Sequence, residues 1–129
     1  MNKTFKTVLV LGGMGFIGGH LVDSFAREWD TTVFAVDRKY PEFVRPTHRG
    51  GSNVLTNAHK SATADLRSKD KMYEVLTSSH FDEIYHLAAD MGGMGFIENN
   101  ECEIMTNSLR ITLNLVECLR DIEFKGKVF

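Results

Sequence analysis

Hydrophobic positions change their spacing several times along the chain, and each change predicts a new element. Residues 8–11 form a short apolar run before glycines, which is typical of a strand buried on both faces. Residues 31–36 are rich in β-branched and aromatic side chains and predict a second strand that ends at Asp37. Between them, apolar residues at helical spacing predict a helix with one apolar face: Ile17, Leu21, Val22, Phe25, Ala26 and Trp29.

The middle of the chain is less regular. Residues 38–59 contain both prolines and a Gly-Gly pair, so we expect an irregular surface connection there. Residues 59–66 predict a short third strand that ends at Asp65 and Leu66. Residues 68–79 then predict a helix with three inward apolar side chains, Met72, Val75 and Leu76.

The last third of the chain continues the alternation. Residues 81–89 predict a fourth strand, and residues 127–129 the opening of a fifth. The long helix predicted over residues 102–122 has one apolar stripe, formed by Met105, Leu109, Thr112, Val116 and Leu119. Strands that alternate with helices indicate an α/β fold. We expect a Rossmann-type parallel sheet with helices on both faces, in the order 3-2-1-4-5 and truncated in strand 5.

Composition narrows the possible partners. The 129 residues carry 15 basic and 17 acidic side chains, a net charge of −2. This balance gives no basic field for nucleic acid or an anionic membrane. The five histidines lack the spacing of a metal site, so none is expected. The apolar, glycine-rich start of the chain is too short to span a membrane and resembles a signal peptide only superficially.

The two cysteines, Cys102 and Cys118, fall on one predicted helix. At 1.5 Å per residue they would lie about 24 Å apart, too far for a disulfide. Free thiols favour a reducing, cytoplasmic location.

A glycine triplet follows the first strand and carries the clearest chemical signal. Gly12 permits a tight turn, Gly15 lets the backbone approach a pyrophosphate, and Gly18 lets the helix pack close to the strand. The N–H groups at the start of the helix would face the phosphates. Residues 1–129 are therefore expected to form one dinucleotide-binding domain, incomplete at the carboxyl end.

An acidic residue follows the second strand, nineteen residues beyond Gly18. The Asp37 carboxylate can accept hydrogen bonds from an adenosine ribose diol and would repel a 2′-phosphate, which favours NAD over NADP. Arg38 could host that phosphate, so NADP stays open. The alternative interpretation is a glycine-rich turn beside an incidental surface Asp.

The hexapeptide GGMGFI at residues 12–17 recurs at residues 92–97. In the second copy Glu98 stands where the first has Gly18, and polar residues follow. An acid beside a phosphate would be repulsive, so this is not a second dinucleotide loop. We expect a loop at the ligand-binding edge of the sheet. A plain glycine-rich connection is the alternative.

These motifs together resemble the extended short-chain dehydrogenases/reductases. The resemblance lies in residues 12–18, in Asp65-Leu66, in HLAA at residues 86–89, and in four helix residues, Asn107, Thr112, Asn114 and Glu117. It implies NAD as the cofactor. The cofactor-binding residues that it implies, with those from the glycine triplet, are Gly12, Gly15, Phe16, Ile17, Gly18, Asp37, Arg38, Asp65, Leu66, Leu87, Ala88, Ala89 and Asn107.

Residues 88–97 (AADMGGMGFI) are closely similar to a stretch of the GDP-mannose 3,5-epimerases. This similarity implies that Met91, Gly92 and Gly93 contact a GDP-hexose. It also implies the chemistry, in which NAD oxidises C4 of the hexose, the acidified C3 and C5 protons exchange, and C4 is reduced again.

The groups that this chemistry needs in the family lie after strand 5: a Ser or Thr, a Tyr-x-x-x-Lys pair, and an acid–base Cys and Lys. We therefore assign no catalytic residue here and expect no activity from this chain alone. The unfinished sheet edge predicts a homo-oligomer or a complementary fragment. A non-catalytic NAD- or nucleotide-binding module, or an assembly partner, is the main alternative, and a related sugar-nucleotide reductase is a third.

Overall fold

A computed structural model describes residues 4–40, 56–90 and 99–129, and these form a parallel sheet in the order β3-β2-β1-β4-β5. The strands are β1 Lys6–Leu11, β2 Thr31–Asp37, β3 Lys60–Thr63, β4 Glu83–His86 and β5 Lys127–Val128. The helices are α1 Phe16–Arg27, α2 Lys69–Thr77 and α3 Glu101–Asp121. The predicted fold class and strand order are confirmed.

Strand β1 lies at the centre of the sheet and fixes its register. Lys6 pairs with Thr31 of β2, and Val8 pairs with Glu83 of β4. All four residues of the predicted apolar run are fully buried: Val8, Leu9, Val10 and Leu11. Since alternate residues of a strand point to opposite faces, this run supplies apolar side chains to both sides of the sheet.

The two faces carry separate core layers. On one face α2 and α3 cover a large cluster that includes Leu9, Leu11, Met72, Ile84, Leu115 and Cys118. On the other face α1 covers a smaller cluster of Val8, Val10, Val22, Phe25, Val33 and Ala35. Helices therefore lie on both faces, as predicted.

Helix α1, Phe16–Arg27, departs from its predicted apolar face at both ends. Ile17 is 67% exposed because the first turn faces the cleft at the end of β1, and Trp29 lies beyond the helix, 66% exposed. Trp29 packs edge-to-face against Phe5, with ring centroids 6.0 Å apart. The inward positions between these ends are confirmed: Leu21, Val22, Phe25 and Ala26.

Helix α2 agrees with its prediction. Ser68 precedes it as the N-cap, and its Oγ accepts a hydrogen bond from the Lys71 N–H, as Ser commonly does at this position. The three inward residues are buried, namely Met72, Val75 and Leu76.

The apolar stripe predicted for α3 is wrong. Met105, Leu109 and Val116 are exposed, as is Thr112, and Leu119 only borders the core. The buried side consists of Asn107, Ile111, Asn114, Leu115 and Cys118. A search for apolar periodicity passes over this side because both asparagines are polar, yet each is buried with hydrogen-bond partners.

Two strands are shorter than predicted, since β3 ends at Thr63 and β4 at His86. Residues 87–90 leave the strand and lead to the cleft. Residues 41–55 of the predicted irregular connection lie outside the described part of the chain.

The described part of β5 pairs with β4, and Phe129 extends the ladder by donating to Ile84 O and accepting from the His86 N–H. Within residues 4–40, 56–90 and 99–129, no helix is both long and apolar enough to cross a membrane.

Candidate cofactor-binding site

A cleft of about 470 Å³ opens where β1, β2 and β4 end, at the point where the strand order reverses. In open α/β sheets this crevice is where ligands bind. Twelve of the thirteen residues predicted to bind a cofactor line it: Gly12, Gly15, Phe16, Ile17, Gly18, Asp37, Arg38, Asp65, Leu66, Leu87, Ala88 and Ala89. Asn107 is buried behind the cleft.

The glycines of the first turn differ in what they permit. Gly12 has φ +81°, and a Cβ there would lie 2.7 Å from the carbonyl carbon of Leu87. A Cβ on Gly18 would lie 2.0 Å from the carbonyl oxygen of Gly12. A Cβ on Gly15 would meet the Gly12 oxygen at an ordinary 3.5 Å. Packing within the protein therefore requires Gly12 and Gly18, whereas Gly15 keeps space open toward the cleft.

Gly13 is a structural glycine that the sequence analysis missed. A Cβ on it would lie 2.9 Å from the Cβ of Ala35 in β2. The Gly12-Gly13 pair in the sequence could have indicated this role. Because the turn alone needs only one glycine, the second glycine suggests close packing against a neighbouring strand.

Asp37 ties β2 to the glycine turn. Its Oδ2 accepts a hydrogen bond from the Met14 N–H at 3.1 Å, and its Oδ1 accepts from the Arg38 N–H at 2.7 Å. A carboxylate has about four acceptor positions, so capacity remains for ribose hydroxyls. Asp37 therefore both positions the turn and faces the cleft.

Asp65 is paired with an arginine that the sequence analysis did not select. Arg67 Nη2 lies 2.7 Å from Asp65 Oδ2, and Arg67 Nε lies 2.9 Å from Oδ1. The hydrogen bond from Arg67 holds the pKa of Asp65 below its usual value. The Asn114 amide donates to the carbonyls of Leu66 and Arg67, which fixes this segment against α3. Arg67 stands two positions after Asp65, and that adjacency was the available signal.

Asp90 is a third residue that the sequence analysis did not select, and it lies at the opposite side of the cleft. Its carboxylate is 9% exposed and accepts a hydrogen bond from the Asn107 amide at 2.7 Å. Its backbone N–H donates to Ser108 Oγ at 3.1 Å. Arg38 Nη1 lies 3.8 Å from Asp90 Oδ1. Asn107 thus acts on the cleft through Asp90.

The sequence profile of the NAD dependent epimerase/dehydratase family matches residues 8–129, nearly the whole chain. The chain belongs to this family.

Two relatives show the range of named activities within the epimerase/dehydratase family. GDP-mannose 3,5-epimerase 1 of Oryza sativa subsp. indica is 34% identical over 113 residues, covering 88% of this chain and 27% of that protein. The bifunctional UDP-glucose 4-epimerase and UDP-xylose 4-epimerase 1 of Pisum sativum is 30% identical, covering 100% of this chain and 37% of that protein. The chain thus spans about a third of the length of these relatives.

A solved structure shares the fold of this epimerase/dehydratase chain. The UDP-glucose 4-epimerase from Bifidobacterium longum, in complex with NAD+ and UDP, superposes with a TM-score of 0.71 at 22% identity. The match covers 96% of this chain and 36% of that one.

His86 lies at the end of β4, behind the cleft of this epimerase/dehydratase chain. Its Nε2 lies 3.0 Å from Thr112 Oγ1, and its Nδ1 is buried with no hydrogen-bond partner among the described residues. Burial lowers the pKa of His86, so the neutral imidazole is favoured.

The predicted substrate contacts, Met91, Gly92 and Gly93, lie outside the described residues. Their role stays a prediction.

Proposed function

We propose that this chain is the NAD-binding amino-terminal portion of a nucleotide-sugar epimerase of the GDP-mannose 3,5-epimerase type, not active by itself. The observation that carries the proposal is the glycine turn, where Gly12 and Gly18 pack against protein and Gly15 leaves room at the cleft. Room for a ligand at this position has no use in a turn that only connects two elements. The proposal also treats residues 1–129 as one dinucleotide-binding domain, incomplete at its carboxyl end.

The start of α1 supports pyrophosphate binding. Gly15 is the N-cap and supplies no side-chain acceptor, and the first turn contains no acidic residue. The first backbone N–H groups of a helix lack partners within it, and the helix dipole makes this end positive. An anion at the cleft end of α1 would satisfy both.

Asp37 supports NAD as the dinucleotide. Its carboxylate stands at the end of β2 with spare acceptor capacity for the adenosine ribose diol. The same negative charge would repel a 2′-phosphate. On the far side of the cleft, Leu87, Ala88 and Ala89 supply a small apolar wall for the rest of the cofactor.

The epimerase part of the proposal rests on sequence similarity. AADMGGMGFI at residues 88–97 and the 34% identity to a GDP-mannose 3,5-epimerase both favour a GDP-hexose as substrate, contacted by Met91, Gly92 and Gly93. NAD, when bound, would accept a hydride from C4 of the hexose and return it after epimerisation. The described residues of this chain hold and orient the cofactor, and no catalytic residue is assigned among them.

Calorimetric titration of the purified chain tests the cofactor assignment. We expect saturable NAD binding and weaker NADP binding. A folded chain that binds neither dinucleotide would contradict the proposal.

The substrate assignment is tested by titrating GDP-mannose and, separately, UDP-glucose into the NAD-loaded protein. We expect Gly92→Val to weaken GDP-mannose binding and to leave NAD affinity nearly unchanged. A preference for UDP-glucose would instead favour the UDP-glucose 4-epimerases as the functional relatives. Equal loss of NAD affinity in Gly92→Val and Gly15→Ala would contradict separate roles for the two hexapeptides.

A non-catalytic NAD- or nucleotide-binding module is the second candidate function. It is favoured by the fact that the described residues include the cleft, whereas no catalytic residue is assigned among them. Both candidates predict a chain that is inactive by itself, so GDP-mannose binding to the NAD-loaded chain distinguishes them, because only the epimerase portion requires it. Incubation with NAD and GDP-mannose in deuterated water tests the shared expectation, and deuterium at C3 or C5 would contradict both candidates.

We also propose a cytoplasmic location, which the free thiols of Cys102 and Cys118 favour.

We further propose association through the edge of β5, as a homo-oligomer or with a complementary fragment. The supporting observation is that Val128 and Phe129 are 45% and 60% exposed beside a strand whose described partner is β4 alone. Size-exclusion chromatography over a range of concentrations tests this, and a monomer at every concentration would contradict it.

A further inference from the structure

Two arginines stand among the described residues that line the cleft, and each is engaged by an acidic side chain. Arg67 makes a two-pronged contact with Asp65, at 2.7 and 2.9 Å. Arg38 lies 3.8 Å from Asp90. The two arginine charges at the cleft are therefore each directed toward a carboxylate, and Lys39 also lines the cleft.

The Arg38–Asp90 pair crosses the cleft. Arg38 follows β2 and Asp90 follows β4, and β1 lies between these strands. Neighbouring strands are about 4.8 Å apart, so β2 and β4 are separated by roughly 10 Å. The side chains of Arg38 and Asp90 bridge this separation over the end of β1. The Arg38 guanidinium thus reaches toward Asp90, and its charge also acts on Asp65, whose pKa it helps to lower.

Asp90 is the fixed member of this pair. Asn107 binds its carboxylate and Ser108 binds its backbone N–H, and both belong to α3. Its side chain is 9% exposed, whereas that of Arg38 is 56% exposed. The long, exposed arginine therefore adapts to the position of the buried carboxylate.

We propose that Asp90 is a specificity-determining residue for the cofactor. It holds Arg38 across the end of β1, away from the space beside Asp37 where the 2′-phosphate of NADP would lie. Asp37 repels that phosphate, and Asp90 withholds from it Arg38, the residue that follows Asp37 in the chain. The inference rests on the proposed NAD-binding function and assigns to Asp90 a part of its preference.

The variant Asp90→Asn tests the inference with little change of shape. The amide keeps one oxygen as an acceptor for Asn107 and can turn its NH2 group toward Arg38, which removes the attraction. We expect the NADP affinity to rise about fivefold, the scale of a partly exposed ion pair, while NAD affinity changes less than twofold. Calorimetry with both dinucleotides measures this.

Arg38→Ala, made in the wild-type protein and in the Asp90→Asn variant, completes a double-mutant cycle. In the Asp90→Asn background it should abolish the gain in NADP affinity, because the freed arginine produces that gain. In the wild-type background it should change both affinities by the same factor. Ser108→Ala is the matched control, since it loosens the Asp90 backbone and keeps both charges, and it should leave the ratio of NADP to NAD affinity unchanged.

The outcomes separate this inference from the proposed function. NAD binding by the wild type with no NADP gain in Asp90→Asn would overturn the inference alone, and so would a gain that persists without Arg38. A wild-type chain that is folded and binds neither dinucleotide would overturn both. If Asp90→Asn does not melt cooperatively, Arg38→Ala alone decides, because a selective loss of NADP affinity would mean that Arg38 already contacts the phosphate.

Discussion

The two ends of the cleft are built by different means. At the glycine end, backbone atoms leave no room for a Cβ on Gly12 or Gly18. At the charged end, four side chains meet in two ion pairs, Asp65 with Arg67 and Arg38 with Asp90, and both arginines are partly exposed. A backbone contact cannot adjust without moving an element, whereas an ion pair can exchange partners. We therefore expect changes at the glycine end to abolish the site and changes at the charged end to tune it.

Gly18→Ala should have the largest effect. The new Cβ would lie 2.0 Å from the Gly12 oxygen, so the turn and α1 must separate. We expect a loss of about 3 kcal/mol in the free energy of unfolding, as for severe overpacking, together with loss of NAD binding. Thermal denaturation and calorimetry measure the two effects, and a variant as stable as the wild type would contradict this packing.

Gly15→Ala, also at the glycine end, tests whether this glycine is needed for ligand space and not for packing within the protein. Its Cβ would make only an ordinary contact, and Gly15 has φ −76°, which alanine adopts readily. The cost in stability should stay below about 1 kcal/mol, the scale of an N-cap change. NAD affinity should fall by about tenfold or more, because the methyl group enters the proposed pyrophosphate space. Unchanged affinity would place the pyrophosphate elsewhere.

Asp37→Ala removes a carboxylate that lies between the glycine end and the charged end of the cleft. It removes the acceptor of the Met14 N–H and the proposed ribose contact together. We expect NAD affinity to fall by about tenfold, the scale of lost hydrogen bonds to a charged group, with a smaller loss for NADP. Asp37→Asn is the control, since it keeps one acceptor oxygen for Met14. Equal losses for NAD and NADP in Asp37→Ala would contradict discrimination by charge.

The pH dependence of the free energy of unfolding distinguishes the contribution of Asp65, at the charged end, from that of His86, at the end of β4. His86 has its pKa lowered by burial, so below about pH 6.5 the unfolded chain binds more protons at this site and stability falls. Asp65 has its pKa lowered by Arg67, so its contribution is lost only as the pH falls below the ordinary aspartate value near 3.8. Denaturant unfolding from pH 7 to pH 5 should therefore show a decline that is smaller in His86→Gln. An equal decline in both proteins would contradict the assignment.

The smallest expected effect concerns the two thiols of α3, the helix that holds Asp90. Cys102 is exposed, whereas Cys118 is 1% exposed and burial raises its pKa. A thiol reagent should modify Cys102 within minutes and Cys118 only after unfolding, with little change in NAD affinity from the first reaction. Mass spectrometry after brief alkylation measures this, and rapid labelling of Cys118 would show that α3 opens.

The glycine end could be predicted from the sequence, as could the presence of Arg38 and Asp65 at the cleft, but the pairing of Arg38 with Asp90 could not, for a physical reason. Gly12, Gly15 and Gly18 sit next to an apolar strand and a helical pattern, so local spacing encodes their roles. The pairing of Arg38 with Asp90 joins residues that follow different strands, and only the strand order brings them together. The prediction of the inward face of α3 failed for a similar reason, because Asn107 and Asn114 are buried with hydrogen bonds to partners distant in sequence.

The edge-to-face pair of Trp29 and Phe5 decides how binding can be observed. Trp29 is the single tryptophan, and it precedes β2, at the amino ends of the strands and thus opposite the cleft. Its indole emission is therefore a reporter of fraying at that edge, insensitive to the arrival of oxidised NAD. Titrations followed by tryptophan fluorescence should stay flat at full occupancy, so heat, or the fluorescence of reduced nicotinamide when NADH is the titrant, is the appropriate readout.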